Sequence, residues 1–206
     1  MAFAEPVTLT GRNWVVLEPL KREHADELLQ AAKDGELWNL WYTSVGDPDA
    51  LFSYIDAALK MRDEQGALPF VVRRKSDGRI VGSTRYFNVD AKNRRLEIGH
   101  TWYSRSVQRT GVNTEAKLIL LEHAFEKLNC IAVEFRTHWF NFDSRAAIAR
   151  LGAKQDGVLR NHQVAANGTL RDTVVFSIIA SEWPTVKAHL RFLLNKPRPS
   201  TTANGA

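Results

Sequence analysis

Apolar and polar positions alternate with two different periods along this 206-residue chain. A period of two residues predicts a strand, and apolar residues that recur every three or four positions predict a helix. The segments that we expect to form strands are Trp14–Glu18, Leu68–Arg73, Ile80–Phe87, Arg94–Tyr103, Ile131–Thr137, Ala153–Gln163 and Thr169–Ile179. Ser76-Asp77-Gly78 and Asn167-Gly168 predict tight turns, so the strands that flank each turn should pair as antiparallel hairpins.

Five segments with helical spacing lie between these strands. The first is marked by His24, Leu28, Leu29 and Ala32, and the second runs from Asp47 to about Gln65. The third is marked by Leu118, Leu121, Phe125 and Leu128, and the last two are Asn141–Leu151 and Ser181–Leu194. Asp47 and Pro48 suit the cap and first turn of the second helix, and we expect the third to be strongly amphipathic. The alternation predicts an α/β arrangement around a shared sheet. We expect residues 1–194 to form a single domain and residues 195–206, rich in Pro, Ser and Thr, to form a flexible tail.

Composition and charge narrow the class of protein. With 44% hydrophobic and 25% charged residues the chain resembles an ordinary soluble globular protein. No run approaches the ~20 apolar residues of a membrane span, and Met1–Pro6 lacks the pattern of a secretory signal, so we expect a cytoplasmic protein. Cys130 stands alone in an apolar run and is predicted to be a buried structural thiol. A net charge of +5 suits either a polyanion such as RNA or a phosphate-rich cofactor.

The sequence lacks the signatures of several kinds of catalytic site. The six histidines show no metal-ligand pairing such as His-Glu-x-x-His and there is no second cysteine, so no metal site is predicted. The Gly-x-Ser-x-Gly elbow of serine hydrolases is absent too. The Lys-Ser/Thr of nucleoside-triphosphate loops and the Gly-x-Gly-x-x-Gly fingerprint are also missing.

The segment Gln108–Ala116 lies between a predicted strand and the start of a predicted helix. The first four N–H groups of a helix have no partner within the helix, and the helix dipole adds about half a positive charge there. A loop that enters a helix can therefore hold a phosphate. Gly111 would permit close approach and Arg109 would add a cation, although an ordinary helix cap has the same appearance.

This segment resembles the Gln/Arg-x-x-Gly-x-Gly/Ala pyrophosphate motif of the GNAT acetyltransferases, with Gln108, Gly111 and then Asn113 in the last position. Asn113 departs from Gly or Ala, but Asn tolerates left-handed backbone angles and can cap a helix. Further stretches resemble the same family and its RimJ/RimL branch of ribosomal-protein N-terminal acetyltransferases, in the expected order. They are Leu96–Tyr103, Asn141-Phe142-Asp143-Ser144, Leu151-Gly152-Ala153, Gly157-Val158-Leu159-Arg160 and Arg171-Asp172-Thr173-Val174.

The resemblance implies a mixed α/β GNAT fold and coenzyme A binding. The fold has a central, mostly antiparallel, strongly twisted sheet of about seven strands, splayed between the fourth and fifth, with helices on both faces. In that family acetyl-CoA is the donor and its pantetheine lies in the splay. By resemblance, the cofactor-binding residues would be Trp102, Tyr103, Gln108, Arg109, Thr110, Gly111, Val112, Asn113, Thr114 and Asn141.

The resemblance also implies roles in acetyl transfer to a primary amine. Glu97, on the family's fourth strand, is the candidate general base, directly or through water; His100 is the other candidate, and a solvated strand edge is the structural alternative for Glu97. Ser144 is the candidate acid for the departing thiolate, and it could also cap its helix. A backbone N–H near Trp102 or Tyr103 would bind the oxyanion.

The acceptor would be a protein N-terminus or a small-molecule amine, which the sequence leaves open. The family's acceptor walls correspond to Leu37–Thr43 and Asn161–Thr169, and Trp38, Trp41 and Tyr42 could line an acceptor slot or belong to the core or a dimer contact. A non-catalytic acyl-CoA-binding protein and an RNA- or ribosome-associated module are the alternatives. Nucleic acid is disfavoured as the primary partner because 23 acidic residues are interleaved with the basic ones. A homodimer is the commonest soluble assembly.

Overall fold

The computed structural model describes residues 3–36, 38, 50–165 and 167–196. Its strands are β1 (Leu9–Thr10), β2 (Val15–Pro19), β3 (Leu68–Arg74), β4 (Ile80–Asp90), β5 (Arg95–Tyr103), β6 (Ala132–His138), β7 (Lys154–Val164) and β8 (Leu170–Ile179). Its helices are α1 (Ala25–Lys33), α2 (Leu51–Gln65), α3 (Val112–Glu126), α4 (Phe142–Arg150) and α5 (Trp183–Asn195). The predicted start of α2 at Asp47 and Pro48, and the tail beyond Lys196, lie outside the described residues.

All eight strands form one sheet in the order β1-β2-β3-β4-β5-β6-β8-β7. The expected number was about seven; the additional strand is β1, two residues that pair with Val16 and Leu17 of β2 and are too short to show an alternating pattern. Neighbouring strands are antiparallel except β5 and β6. Both predicted hairpins are confirmed: Gly78 and Gly168 at their turns adopt positive φ angles of 72° and 81°.

The parallel pair β5–β6 separates soon after it begins. Arg95, Leu96 and Glu97 pair with Ala132, Val133 and Glu134, and no pairing follows between the remaining residues of these two strands. β5 instead continues along β4, and β6 continues along β8. The carboxyl-terminal halves of β5 and β6 therefore diverge into a V-shaped cleft with Glu97 at its apex, as the family resemblance predicts.

Helices cover both faces of the sheet. One apolar cluster includes α3 and α5, where Leu120, Leu121 and Leu190 are buried against the strands. A second cluster on the opposite face includes Leu28 of α1 and Ile55 of α2. Burial of these apolar surfaces is the main contribution that holds the layers together.

The prediction that α3 is strongly amphipathic is wrong. Eleven of its 15 residues are buried, and they lie all around the helix rather than on one stripe. The physical reason is position: α3 packs against the sheet on one side and against α5 on another. Its buried set includes Glu115 and Lys117, which helical periodicity alone assigns to a solvated face.

Candidate functional site

The loop Gln108–Gly111 connects the open end of β5 to α3. Gln108 Nε2 donates to the carbonyl oxygen of Tyr103 at 3.2 Å, which holds the loop back against the strand end. Thr110 Oγ1 donates to the carbonyl oxygen of Val107 and accepts from the N–H of Val112. Within the described chain, the N–H groups of Asn113 and Thr114 have no hydrogen-bond acceptor. The loop thus presents unpaired donors at a helix start, as a phosphate site requires.

Gly111 is required here for space rather than for backbone freedom. Its φ angle is −75°, an ordinary helical value, but a Cβ atom at this position would lie 2.5 Å from Nε1 of Trp14. The left-handed residue of the loop is Arg109, with φ of 60°. Asn113 is the second residue of α3 and is neither left-handed nor the helix cap, and its role in binding coenzyme A stays a prediction.

Helix α4 begins at the open end of β6 and contacts the start of α3. The Oδ1 atom of Asn141 accepts from the N–H of Ser144 at 3.0 Å, so Asn141 is the N-cap and Ser144 is not. The part of the chain that the structure describes contains no hydrogen-bond partner for the half-buried Ser144 hydroxyl. At the other end of α4, both Nη atoms of Arg150 lie 3.2 Å from Oγ1 of Thr114. The carboxyl-terminal end of α4, rather than its Asn141–Ser144 start, therefore contacts the start of α3.

Trp102 and Tyr103 end β5 on opposite faces of the sheet. The indole of Trp102 is buried with α1 and α2, and its Nε1 donates to the Tyr54 hydroxyl at 3.3 Å. The Tyr103 ring packs with the α3 cluster, and none of the described residues forms a hydrogen bond with its buried hydroxyl. Burial raises the pKa of Tyr103. Only the backbone of these two residues therefore faces the cleft edge that the resemblance assigns to pantetheine.

Glu97 at the apex of the cleft is almost fully buried, with 3% of its surface exposed. Its Oε2 accepts a hydrogen bond from Asn88 Nδ2 at 2.9 Å and lies 3.5 Å from Nε of Arg136. Burial raises the pKa of Glu97 to about 7, against the opposing effects of Asn88 and Arg136. A carboxylate with that pKa can accept a proton near neutral pH, and the alternative of a solvated strand edge is wrong because Glu97 is buried.

A cavity of about 340 Å³ flanks Glu97. It is lined by Asn88, Asp90, Arg95, Leu96, Glu97, Glu134 and Arg136. The Glu97 carboxyl group therefore borders space that water or part of an acceptor could occupy, although little of the residue is exposed.

His100, the other candidate base, lies at a bulge in β5. Its φ angle is 47°, and the register between β4 and β5 shifts around it. His100 is an exposed residue, yet desolvation by the surrounding protein, with the charges of Arg85 and Arg171, lowers its pKa to about 4. A neutral imidazole with so low a pKa is a weak base, which favours Glu97 as the proton acceptor.

Sequence reasoning missed the arginines around Glu97. Arg85 of β4 is buried, Arg136 of β6 lies beside Glu97, and Arg171 of β8 is partly buried. Arg85 is the one basic residue of β4, and Arg171 belongs to one of the segments that resemble the family, so both gave a signal. The position of Arg136 beside Glu97 depends on the pairing of β5 with β6, which no local pattern reveals.

Lys117 is a second buried charge that the sequence did not reveal. Its Nζ lies 2.7 Å from Oγ1 of Thr101 in β5 and 3.2 Å from Oγ1 of Thr84 in β4. No carboxylate contacts it among the described residues. Burial lowers the pKa of Lys117 to about 7.

The remaining candidate residues have simpler outcomes. Trp38 packs against the α1–α2 core, whereas Trp41 and Tyr42 lie outside the described residues. Cys130 is buried, and burial raises the pKa of its thiol to about 11, which fits the predicted structural thiol.

Within the described ranges, no helix has the length and apolar character to cross a membrane, and no group of His, Cys, Asp and Glu could hold a metal ion.

Comparison with known proteins assigns this chain to a family. The profile of the acetyltransferase (GNAT) domain matches residues 15–154. YdaF of Bacillus subtilis (strain 168), whose name provisionally assigns it as a ribosomal N-acetyltransferase, is 33% identical over 107 residues, which cover 52% of this chain and 57% of YdaF. The chain therefore matches little more than half the length of that relative.

Two solved structures match over most of their length. A GCN5-related N-acetyltransferase from Brucella melitensis is 30% identical with a TM-score of 0.83, covering 96% of this chain and 90% of that one. Mycobacterium smegmatis RimJ, solved with CoA-disulfide, is 25% identical with a TM-score of 0.75, covering 91% and 94%. The profile match across more than half of the chain, the splayed sheet and these relatives agree: the chain belongs to the GNAT acetyltransferase family.

Proposed function

We propose that this protein transfers an acetyl group from acetyl-CoA to a primary amine. The observation that carries the proposal is the cleft between β5 and β6, which has unpaired helix-start donors at its open end and a buried Glu97 with a raised pKa at its apex. A ligand with a polyanionic end and a reactive thioester at the other end fits that arrangement.

The residues present suit coenzyme A. The N–H groups of Asn113 and Thr114 and the side chain of Arg109 would bind its pyrophosphate. The unpaired backbone edge of β5 near Trp102 and Tyr103 would bond the pantetheine amides, since none of the strands in the described ranges occupies that side beyond Glu97. The RimJ relative was solved with a coenzyme A derivative, which agrees with this assignment. Bound acetyl-CoA would supply the activated acyl group.

The chain's own groups then move the protons. The Glu97 carboxylate accepts a proton from the attacking amine, directly or through water in the adjacent cavity. A backbone N–H at the end of β5 stabilises the negative charge that develops on the acyl oxygen. The Ser144 hydroxyl, which has no partner within the described chain, donates a proton to the departing sulfur and regains one from solvent, while Glu97 releases the amine proton to solvent.

The names of the relatives indicate which class of acceptor to propose. YdaF is named for acetylation at the ribosome, and RimJ belongs to the same branch. We therefore propose a protein N-terminus as the acceptor class and the cytoplasm as the location. The RNA-binding alternative receives no support from these comparisons.

Thermal unfolding with and without acetyl-CoA tests the proposal. At 100 times its dissociation constant a ligand adds about 2.7 kcal/mol of stability, which for a chain of this size raises Tm by roughly 5 to 11 °C. Acetyl-CoA should give that shift and free adenine nucleotides a smaller one, and a panel of peptides and amines should then show acetyl transfer. An unchanged Tm at saturating acetyl-CoA would refute coenzyme A binding, and binding without turnover would support the non-catalytic alternative.

A further inference from the structure

Strand β5 contains a bulge at the edge of the cleft. The register of β4 against β5 shifts between Ser83 and Arg85. Within that shift one residue of β4, Thr84, lies opposite two residues of β5, His100 and Thr101. His100 has a φ angle of 47°, which is unfavourable for a residue with a side chain. A backbone of this kind persists only where its surroundings hold it, so the contacts of the bulge are informative.

The bulged part of β5 also supplies backbone donors to the cleft. The N–H of Ser104 donates to the carbonyl oxygen of Val81 at 2.9 Å, and therefore points toward β4. Backbone N–H groups of successive residues in a strand point to opposite sides. The N–H groups of Tyr103 and Thr101 thus point away from β4, into the cleft between β5 and β6. The carbonyl oxygen of Tyr103 agrees with this, because it accepts from Gln108 rather than from β4.

Three polar side chains meet on the other side of the bulge, beneath α3. Nζ of Lys117 lies 2.7 Å from Oγ1 of Thr101 and 3.2 Å from Oγ1 of Thr84. The two threonine oxygens lie 2.8 Å apart. Lys117 and Thr84 are buried, with 5% and 0% of their surfaces exposed, and Thr101 is half-buried. We call these three residues the Lys–Thr–Thr triangle; it ties both strands of the bulge to α3.

The triangle holds its geometry without an ion pair. In the part of the chain that the structure describes, no carboxylate contacts Lys117, and burial lowers its pKa to about 7. A neutral amine still has two N–H groups, one for each threonine oxygen, so the same two hydrogen bonds form on either side of that pKa. The hydroxyl of Thr101 also lies 3.4 Å from the carbonyl oxygen of Gly99, within the bulge itself. Lys117 therefore fixes the bulge whether or not it is protonated.

We propose that Lys117 is a positioning residue for acetyl transfer: through the triangle it holds the N–H groups of Thr101 and Tyr103 toward the place in the cleft where the acyl oxygen of acetyl-CoA would lie. This inference rests on the proposed acetyl transfer and names the residues behind its oxyanion donor. Lys117 acts through the strand rather than on the reacting atoms. A donor that is already in place needs no reorganisation when negative charge develops on the oxygen.

Two variants remove the hydrogen bonds of the triangle and a third keeps them. Lys117→Met and Thr101→Val delete the donor or the hydroxyl with little change of shape, whereas Thr101→Ser retains the hydroxyl. Since loss of one oxyanion donor lowers kcat by about 10²- to 10³-fold, we expect kcat to fall by roughly tenfold or more in the first two variants. Thr101→Ser should stay within about threefold of the unmodified protein. The KM for acetyl-CoA should change little, because the phosphate loop is untouched.

Ser83→Ala is the matched control for the loss of a buried hydrogen bond. Ser83 precedes Thr84 in β4 and is fully buried, but its hydroxyl donates to the carbonyl oxygen of Phe70 in β3, away from the triangle. This variant should lower Tm and leave kcat within about twofold.

The affinities of two cofactor analogues report on the acyl oxygen without turnover. S-ethyl-CoA has a methylene group where acetyl-CoA has its carbonyl. Calorimetry on the unmodified protein should show acetyl-CoA binding roughly fivefold more tightly than S-ethyl-CoA, the effect of one hydrogen bond. The ratio should approach one in Lys117→Met and Thr101→Val, with the affinity for S-ethyl-CoA unchanged. The infrared carbonyl band of bound acetyl-CoA should lie at lower wavenumber in the unmodified protein than in these two variants.

A merely structural lysine gives a different pattern. The inference is overturned if folded Lys117→Met and Thr101→Val keep their kcat, or if kcat falls while the affinity ratio and the infrared band stay as in the unmodified protein. Should Lys117→Met fail to fold, the comparison of Thr101→Val with Thr101→Ser decides by the same measurements. The proposed function fails separately, by the absence of both acetyl-CoA binding and acetylation in the unmodified protein. If acetyl-CoA binds but nothing is acetylated, the affinity ratio and the infrared band still decide.

Discussion

The carboxyl group of Glu97 and the ammonium of Lys117 are buried charges on neighbouring elements, and each has a pKa of about 7 for the same reason. Burial disfavours the charged form, so it raises the pKa of an acid and lowers that of a base. Neither residue has a close, fully compensating counterion: Arg136 is 3.5 Å from Glu97, and Lys117 contacts two hydroxyl oxygens. Both residues should therefore titrate within the physiological range.

Replacing Glu97 with Gln should lower kcat by roughly 10²- to 10⁴-fold, the usual contribution of a general base. In the unmodified protein, kcat/KM should rise with pH through about 7, since Glu97 must lose its proton before it can accept one from the amine. The Gln variant should lose that limb of the pH profile. Steady-state kinetics from pH 5.5 to 9 measure both effects.

Glu134→Gln is the matched control, because Glu134 lies opposite Glu97 in the parallel register and lines the same cavity. We expect it to lower kcat less than tenfold and to retain the limb near pH 7. If the two variants behaved alike, or if the limb survived in Glu97→Gln, the assignment of Glu97 as the base would be wrong.

Lys117 should make stability depend on pH in a definite direction. Its pKa is lowered from 10.5 to about 7 in the folded state, so between these values the unfolded chain binds a proton that the folded chain lacks. The free energy of unfolding therefore rises with pH across this range, by roughly 2 kcal/mol from pH 7 to pH 9. Lys117→Met should abolish that contribution. Urea unfolding of both proteins at the two pH values measures it, and identical pH dependences would contradict a buried lysine with a lowered pKa.

At the scale of elements, the start of α3 depends on an aromatic ring from a distant strand edge. Trp14 precedes β2 and fills the space beside Gly111, while Oε2 of Glu115, one turn into the helix, accepts hydrogen bonds from the N–H groups of Trp14 and Val15. The edge of β2 thereby positions the loop whose donors would bind the phosphates. Loss of this packing should weaken cofactor binding and also lower the stability of the fold.

Gly111→Ala should test that dependence. The added methyl group collides with Trp14, and overpacking of this kind typically destabilises a protein by about 1–3 kcal/mol. We expect a lower Tm together with a KM for acetyl-CoA raised at least tenfold. The control is Gly157→Ala, where a Cβ atom meets nothing within 4 Å, and it should leave both quantities nearly unchanged. A normal KM in Gly111→Ala would show that the loop tolerates displacement.

The elements were largely predictable from sequence because their signals are local. Period-two strands, the Asp-Gly and Asn-Gly turns and the order of short motifs all lie within about twenty residues of chain. Contacts between distant segments were not predictable: the Trp14 ring beside Gly111, the hydroxyl groups of Thr84 and Thr101 around Lys117, and the position of Arg136 beside Glu97. The left-handed residue of the loop was not predictable either, since it is Arg109 rather than a glycine or asparagine.

At the scale of the whole molecule, the sheet consists of two parts joined by a short ladder. Strands β1 to β5 form one antiparallel part and β6, β8 and β7 form another, and three residue pairs of β5 and β6 connect them. Beyond Glu97 the facing backbone edges lack strand partners, so their amides should exchange with solvent more readily than those of paired strands. A ligand seated between the two parts would bridge both of them at once.

Acetyl-CoA should therefore slow hydrogen exchange at two sites that are distant in sequence. Peptides covering Ile98–Tyr103 and Phe135–His138 should gain protection, roughly tenfold or more at saturating ligand, because the pantetheine would bond one edge and exclude water from the other. Peptides covering β2 and β3 should not change, and free ADP should protect only the loop before α3. Hydrogen–deuterium exchange with mass spectrometry distinguishes these outcomes. Protection confined to the loop would mean that the cofactor is held only by its phosphates, and the cleft between β5 and β6 would then not be the place where the acyl group meets Glu97.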